Sequence, residues 1–104
     1  EEKLDKARYH LLAHATEDID LEALAAEIGL SYSRFRTLFR QHTGRSPRQY
    51  QLDILMNRAM ELLKESQRTV TEISEMLGFS AVYYFSRLFK QRVGKTPGQY
   101  RKGS

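Results

Sequence analysis

The sequence predicts an all-α fold of about seven helices, arranged as two helix-turn-helix subdomains joined by a long linking helix. Three observations support this prediction. No segment alternates polar and apolar residues as a half-buried strand does, Gly and Pro occur only between segments of helical periodicity, and the second half of the chain repeats the first. We expect the first subdomain at residues 1–46, the linking helix at 47–66 and the second subdomain at 67–104.

Internal repetition is the strongest of these observations. Residues 35–50 and 85–100 are identical at 8 of 16 positions when one segment is shifted by 50 residues. Upstream of this segment the shift becomes 49, because the second copy carries one additional residue after its Gly-x-Ser turn. Such repetition predicts two copies of one structural unit.

Helical periodicity and capping residues place the elements along the chain. In the first subdomain and the linking segment, the predicted helices are Glu2–Ala15, Leu21–Ile28, Tyr32–Thr43 and Pro47–Glu65. In the second subdomain they are Val70–Leu77, Ala81–Val93 and a short helix that begins at Pro97. We expect N-cap side chains, three of them in capping boxes, at Asp20, Ser31, Ser46, Thr69, Ser80 and Thr96.

The distribution of charge is more informative than its sum. The chain carries 17 basic and 13 acidic residues, a net charge of +4. Residues 31–50 contain five Arg and residues 81–104 contain six basic side chains, and neither segment contains an acidic residue. Each basic segment lies in one copy of the repeat, which indicates two surfaces for an anionic partner.

Each basic segment includes a helix with one apolar and one polar face. Phe35 and Phe39 lie on the apolar face of the first, and Phe85 and Phe89 on that of the second. The outward residues are Ser33, Arg36, Thr37, Arg40, Tyr83, Ser86, Arg87 and Lys90. Outward Arg and hydroxyl side chains suit base edges in the DNA major groove, and Arg87 is the best candidate for a guanine.

Two kinds of residue are candidates for contact with DNA phosphates. They are residues at helix N-termini beside these outward faces, and basic side chains further along the faces. The candidates are Ser31, Arg40, Arg45, Arg48, Ser80, Lys90, Lys95 and Thr96. The linking helix, at 1.5 Å per residue, would be about 28 Å long. That length is comparable to one turn of B-DNA, about 34 Å, so a helix there would fix the spacing of the two subdomains.

The chain resembles the AraC/XylS transcription regulators over nearly its whole length. The signature of that family's second half is matched by GFSAVYYFSRLFK (78–90) and GKTPGQYR (94–101). Its first half is matched by AAEIGLS (25–31), LFR (38–40) and GRSP (44–47). One departure lies in the linking helix, where the family often has an Arg before an Ala and paired Leu and this chain reads LMNRAMELL (55–63), so the role of such an Arg is not carried over. The other is Ser74 in place of a usual Ala.

This resemblance implies seven helices and two recognition helices that enter successive segments of the major groove of double-stranded DNA. By position, the base contacts of the family fall on Ser33, Arg36, Thr37, Val82, Tyr83 and Arg87. Helical geometry places Val82 nearer the core, so its assignment rests on the resemblance alone. The family also implies a ligand-sensing or dimerisation domain outside this fragment, RNA polymerase as a partner, and a place at the nucleoid in the cytoplasm.

Other function classes have weaker support in the sequence. The chain contains no Cys and no Gly-rich phosphate loop, so we expect neither an enzyme nor a bound cofactor. It has no apolar run long enough for a membrane span and no signal peptide pattern, so we expect no membrane contact in this segment. His10, His14 and Glu17 have a spacing that could bind a metal, but one flank of a surface helix explains them equally well. An RNA-binding module or a protein-interaction bundle remain the alternative interpretations.

Overall fold

The computed structural model describes residues 2–103, and all regular secondary structure among them is helical. The described helices are α1 (Glu2–Ala13), α2 (Leu21–Glu27), α3 (Tyr32–Thr43), α4 (Pro47–Glu65), α5 (Val70–Met76), α6 (Val82–Val93) and α7 (Pro97–Lys102). This confirms the predicted all-α class and the number of helices. The outermost residues of the predicted subdomains, 1 and 104, lie outside the described part of the chain.

Most helix boundaries agree with the prediction, and the differences lie at helix ends. The bounds of α3 and α4 are those predicted, whereas α1, α2 and α5 end one or two residues earlier. Ile28 and Leu77, predicted as the last residues of α2 and α5, are the C-caps instead. Both side chains are buried, and the backbone N–H of each still donates a hydrogen bond to the carbonyl oxygen four residues earlier.

The prediction that Ser80 caps α6 is wrong. The N-cap is Ala81, which makes no side-chain hydrogen bond to the helix, and α6 begins at Val82. In the first copy the Ser31 hydroxyl oxygen accepts a hydrogen bond from the Arg34 N–H at 3.2 Å. The additional residue of the second copy displaces its serine from the capping position, because the buried face of the helix sets where α6 begins.

The three predicted capping boxes are confirmed. The boxes at Thr69 and Thr96 each contain both reciprocal hydrogen bonds. At Ser46, the backbone N–H donates to Gln49 Oε1 at 3.2 Å and the hydroxyl oxygen accepts from the Gln49 N–H at 3.3 Å. These bonds satisfy backbone donors that a helix start leaves without an intrahelical partner.

The chain divides into two compact units, the first ending at Ile54 and the second beginning at Leu55. The division falls within α4, so each part of this helix belongs to a different unit. The core of the first unit is formed by Leu4, Ala7, Leu11, Leu24, Ala25, Ile28, Phe35 and Phe39, against which Tyr50 and Ile54 from α4 pack. The predicted separate linking segment at 47–66 stays a prediction.

The second unit uses the later part of α4 as the first unit uses α1. Leu4, Ala7 and Leu11 are buried along α1. The same spacing recurs, 52 residues later, in three buried residues of α4, which are Met56, Ala59 and Leu63. The remaining large buried side chains of this unit include Ile73, Leu77, Phe85 and Phe89. The repeat therefore extends to a helix that the sequence comparison did not align.

In each unit, a polar side chain at an equivalent position binds backbone carbonyl oxygens. The side-chain amide of Gln51, which is 2% exposed, donates hydrogen bonds to the carbonyl oxygens of Ala15 at 2.9 Å and Glu17 at 3.1 Å. Fifty residues later, the Arg101 guanidinium donates to the carbonyl oxygens of Leu63 and Ser66. Each side chain thus satisfies carbonyls near the end of the first helix of its own unit or in the turn that follows it.

A search of the helices described between residues 2 and 103 finds none with the length and apolar character that crossing a membrane requires.

Candidate nucleic-acid interface

Helix α3 separates its apolar and polar side chains as the sequence predicts. Phe35 and Phe39 are fully buried in the first unit. The predicted outward residues Ser33, Arg36, Thr37 and Arg40 are all exposed. Because the two phenylalanines are held in the core, the rotation of α3 about its axis is set, and its polar side chains face solvent together.

Helix α6 shows the same separation with bulkier outward residues. Phe85 and Phe89 are fully buried, whereas Tyr83 is 71% exposed. The predicted contact residues Arg87 and Lys90 are exposed, and Ser86 is half-buried. Val82 is 38% exposed and therefore accessible. Its assignment as a base contact came from the family resemblance and not from helical geometry.

An aromatic ring lies next to the main arginine of each polar face. The guanidinium carbon of Arg36 lies 5.7 Å from the centre of the Tyr32 ring. The guanidinium carbon of Arg87 lies 5.8 Å from the centre of the Tyr83 ring. Both distances are within the range of cation–π attraction. Tyr32 was not among the predicted site residues, although its position four residues before Arg36 on one helix was the available signal.

The hydroxyl of Thr37 is engaged with its own helix. Its Oγ1 donates a hydrogen bond to the backbone carbonyl of Ser33 at 3.1 Å. The lone pairs of Oγ1 remain for accepting a hydrogen bond from a ligand, whereas the hydroxyl hydrogen is directed to the backbone.

The predicted phosphate contact Arg45 is held by a carboxylate in the first unit. Its Nε and Nη2 donate to the two oxygens of Asp53 at 2.8 and 3.1 Å, and both side chains are about 40% exposed. In the second unit the exposed Lys95 replaces Arg45, and Gly103 stands at the position of Asp53. Asp53 was not predicted as part of the site, because it lies eight residues after Arg45 and only the turn before α4 brings the two side chains together.

The other predicted phosphate contacts lie near helix starts. Ser31 and Thr96 are N-caps whose hydroxyl oxygens accept backbone hydrogen bonds. Arg48 donates to the Gln51 side chain at 3.0 Å. Ser80 is exposed in the turn before α6, two residues from the first helical residue, so it does not stand at the helix start as predicted.

The second unit has an open groove along α6 with a volume of about 650 Å³. It is lined by Tyr83, Ser86, Arg87 and Lys90 of α6, and by Thr96 at the start of α7. The tertiary structure therefore brings most of the predicted base and phosphate contacts of this unit to one surface.

Three further tyrosines pack against phenylalanines. The rings of Tyr50 and Phe39 meet edge to face, with centres 5.3 Å apart. Tyr100 and Phe89 repeat this contact in the second unit at 5.7 Å. Tyr84 is half exposed, and its ring centre lies 5.9 Å from that of Phe79.

His10 in α1, together with His14 and Glu17 just after that helix, is not arranged as a metal site. His14 Nδ1 lies 2.7 Å from Glu17 Oε2, and the His10 and His14 ring centres are 4.6 Å apart. Within residues 2–103, no group of three or more His, Cys, Asp or Glu side chains has the geometry to hold a metal ion.

Comparison with known proteins identifies the family of this chain. The model of a helix-turn-helix domain family matches residues 24–103. The MmsAB operon regulatory protein of Pseudomonas aeruginosa is 34% identical over 99 residues, which is 95% of this chain and 32% of that protein. The chain therefore spans about a third of the length of this curated relative.

Solved structures show the same fold. The C-terminal domain of AraT, a response regulator from Geobacillus stearothermophilus, superposes with a TM-score of 0.92 at 30% identity, covering 100% of this chain and 87% of that one. The DNA-binding domain of AdpA, a global transcriptional factor solved in complex with a target DNA, superposes with a TM-score of 0.87 at 30% identity, covering 96% and 90%. The chain belongs to the AraC-type family of helix-turn-helix DNA-binding domains of transcription regulators.

Proposed function

We propose that this domain recognises specific sequences in double-stranded DNA, with α3 and α6 as recognition helices that enter the major groove. One observation carries the proposal. On both helices a pair of fully buried phenylalanines leaves Arg and hydroxyl side chains on the opposite, exposed face. A major groove about 12 Å wide admits such a helix, and bidentate Arg contacts distinguish guanine from the other bases.

The charge pattern supports the same partner. The segments 31–50 and 81–104, which contain the recognition helices, have no acidic residue to repel phosphates. Lys and Arg contacts to phosphates supply affinity that does not depend on sequence, and base contacts add the specificity.

Individual residues take two proposed roles. The proposed base contacts are Ser33, Arg36, Thr37, Val82, Tyr83, Ser86 and Arg87. The proposed phosphate contacts are Ser31, Arg40, Arg45, Arg48, Ser80, Lys90, Lys95 and Thr96. Arg45 can bind a phosphate only in competition with the Asp53 carboxylate that it already contacts at 2.8 Å, so we expect it to contribute less than Lys95.

We further propose that the two recognition helices occupy successive segments of the major groove, each over its own half-site. The DNA-binding domain of AdpA, to which this chain is similar, was solved in complex with a target DNA. Insertion of five base pairs between the half-sites rotates one by about half a turn of the duplex. We expect affinity to fall to that of a single half-site, whereas an unchanged affinity would contradict simultaneous binding.

The direct test is selection of bound sequences from a random duplex pool, followed by binding assays on the selected site. Arg87→Ala should weaken the selected site by about 1–3 kcal/mol and random DNA much less. Lys90→Ala, one turn further along α6, is the matched control. It should weaken both DNAs alike and lower the salt slope by about one.

Two outcomes would contradict the proposal. Enrichment of no motif would exclude a sequence-specific reader, and an equal loss on both DNAs for Arg87→Ala would remove its base contact. Competition by duplex RNA of the selected sequence, as strong as that of the DNA, would favour the RNA-binding alternative instead.

For the intact protein, we propose a longer regulator with a ligand-sensing or dimerisation domain and RNA polymerase as a partner. The length of the chain relative to the MmsAB regulatory protein supports an additional domain. DNA binding would place the regulator at the bacterial nucleoid. Transcription in a purified system, with and without the domain's selected site upstream of a promoter, tests the polymerase proposal. An output that does not depend on the site would contradict it.

A further inference from the structure

The two recognition helices carry the same tyrosine–arginine pair in different registers. The buried phenylalanines align the helices at a shift of 50 residues, since Phe35 and Phe85 are both fully buried. In that alignment, Tyr32 corresponds to Val82 and Arg36 to Ser86. The pair of the second unit, formed by Tyr83 and Arg87, therefore lies one residue later than the pair of the first unit.

One residue corresponds to a rotation of about 100° around a helix. Measured from the buried phenylalanine of each helix, the Tyr32–Arg36 pair is centred at about 80°, on the flank, and the Tyr83–Arg87 pair at about 180°, opposite the core. The exposed fractions agree with this geometry, because Tyr32 is 36% exposed and Tyr83 is 71% exposed.

The centre of the first polar face is occupied by shorter side chains. Ser33 and Thr37 stand where the second unit has Tyr83 and Arg87. The Thr37 hydroxyl donates to the Ser33 carbonyl. Neither residue can present the two parallel donors that a guanine O6/N7 contact requires.

We propose that Tyr32 and Tyr83 are positioning residues for Arg36 and Arg87, and that the two arginines approach the groove from different sides of their helices. Because of this rotation, the guanine preferred in the first half-site occupies a different position from that in the second, and the two half-sites are not copies of one sequence. This inference rests on the proposed function and specifies which bases each unit selects.

The physical basis is preorganisation of a flexible side chain. An Arg side chain loses rotamer freedom when it binds a base, and a neighbouring ring that already holds the guanidinium reduces that loss. The ring acts through its face, so phenylalanine should replace tyrosine and an aliphatic side chain should not.

The first test moves the pair of the first unit into the register of the second. The fourfold variant Tyr32→Ser, Ser33→Tyr, Arg36→Thr, Thr37→Arg preserves the composition of α3 and leaves Phe35 in place. We expect the guanine preference of the first half-site to move to the position found in the second half-site. The half-sites are assigned beforehand from the base preferences that Arg36→Ala and Arg87→Ala remove.

The second test replaces each ring alone. Tyr32→Leu should reduce discrimination at the guanine of Arg36 by about two- to fivefold, and Tyr83→Leu should do so at the guanine of Arg87. Tyr32→Phe and Tyr83→Phe should retain it. Tyr32 lies outside the proposed contacts, so in its two variants affinity for random DNA and the thermal midpoint should stay unchanged, which separates positioning from a structural role.

The failures of the inference and of the proposed function are distinguishable. If the unaltered domain enriches no motif, the proposed function fails. If it enriches a motif but both Leu variants keep full discrimination, positioning by the rings is wrong. If the fourfold variant keeps the native motif and thermal midpoint, the register difference does not determine base choice; should that variant not fold, the single variants decide.

Discussion

The first and second units fill equivalent positions with different side chains. At one buried position of the helix before each recognition helix, the first unit has Ala25 and the second has Ser74. Among the buried side chains of residues 2–103, the Ser74 oxygen stands out because it has no hydrogen-bond partner. The recognition helix is capped by Ser31 in the first unit, whereas Ala81 leaves it without a side-chain cap in the second.

In the first unit, polar side chains of α1 contact residues of α3 and α4. Asp5 on α1 lies 3.4 Å from His42 Nε2 at the end of α3, and Arg8 donates to the Tyr50 hydroxyl. In the later part of α4, Asn57 and Met60 stand where α1 has Asp5 and Arg8. Equivalent positions of the two units therefore carry side chains that differ in their polar contacts.

The largest expected effect tests whether the two cores are equivalent. Phe39→Ala and Phe89→Ala should each lower the free energy of unfolding by about 3–5 kcal/mol, because each removes a fully buried ring. Chemical denaturation measures both. Tyr9→Ala, at a position that is 73% exposed, is the control and should change stability by no more than about 0.5 kcal/mol. A cost near that of the control for either phenylalanine would contradict equivalence.

Replacing the buried Ser74 should stabilise the domain. Ser74→Ala should raise the free energy of unfolding by about 1–3 kcal/mol, since a buried hydroxyl without a partner loses its hydration. Ala25→Ser, the mirror substitution in the first unit, should lower it by a similar amount. Both follow from denaturation curves, and a destabilising Ser74→Ala would mean that this hydroxyl is satisfied.

The missing cap predicts a smaller effect. Ala81→Ser should stabilise the domain by about 0.5–2 kcal/mol, because its hydroxyl can accept from the Tyr84 N–H as Ser31 accepts from Arg34. Ser31→Ala should produce the opposite change. Hydrogen exchange of the Tyr84 amide locates the effect, and exchange that does not slow in Ala81→Ser would show that no cap has formed.

The ion pair at the start of α4 predicts unequal contributions to DNA affinity. Lys95→Ala should lower the slope of log affinity against log salt by about one. Arg45→Ala should lower it less, because Asp53 already contacts that guanidinium. Asp53→Asn should raise the affinity for random duplex DNA. Equal changes for Arg45→Ala and Lys95→Ala would contradict competition by Asp53.

The smallest expected effect is a dependence of stability on acid. The hydrogen bond with His42 lowers the pKa of Asp5, and the backbone N–H and hydroxyl of Thr69 lower that of Glu72. Because each folded pKa lies below the unfolded value, each carboxylate stabilises the fold above its usual pKa. That contribution is lost as the pH falls through the folded pKa.

Thermal midpoints between pH 7 and pH 3 measure this loss. Asp5→Asn should flatten the acid dependence through the first unit, and Glu72→Gln through the second. Superimposable pH profiles for the unaltered domain and both variants would contradict the assigned pKa directions.

Features set by neighbouring residues were predictable from the sequence. The bounds of α3 and α4 agree with prediction, and so do the capping boxes at Ser46, Thr69 and Thr96. Helical hydrogen bonds and caps join residues three or four apart, so the amino acids that make them can be recognised in one short segment.

Parts of the candidate site could not be predicted, because they depend on turns and on packing and not on neighbouring residues alone. The position of Ser80 relative to α6 depends on where packing in the core makes that helix begin. The contact of Arg45 with Asp53 depends on the geometry of the turn before α4. The four-residue spacing of Tyr32 and Arg36 allows their contact, but the rotamers that form it are selected only in the packed helix.

By itself, the sequence determined the all-α class, the repeat, the acid-free segments and the outward faces of the recognition helices, because all of these follow from local periodicity and composition. Only the tertiary structure decided that α4 serves two cores, that Gln51 and Arg101 close them, and that Asp53 holds Arg45. These contacts join groups that only turns and helix packing bring together, and their formation depends on how the folded chain excludes water and satisfies its buried polar groups.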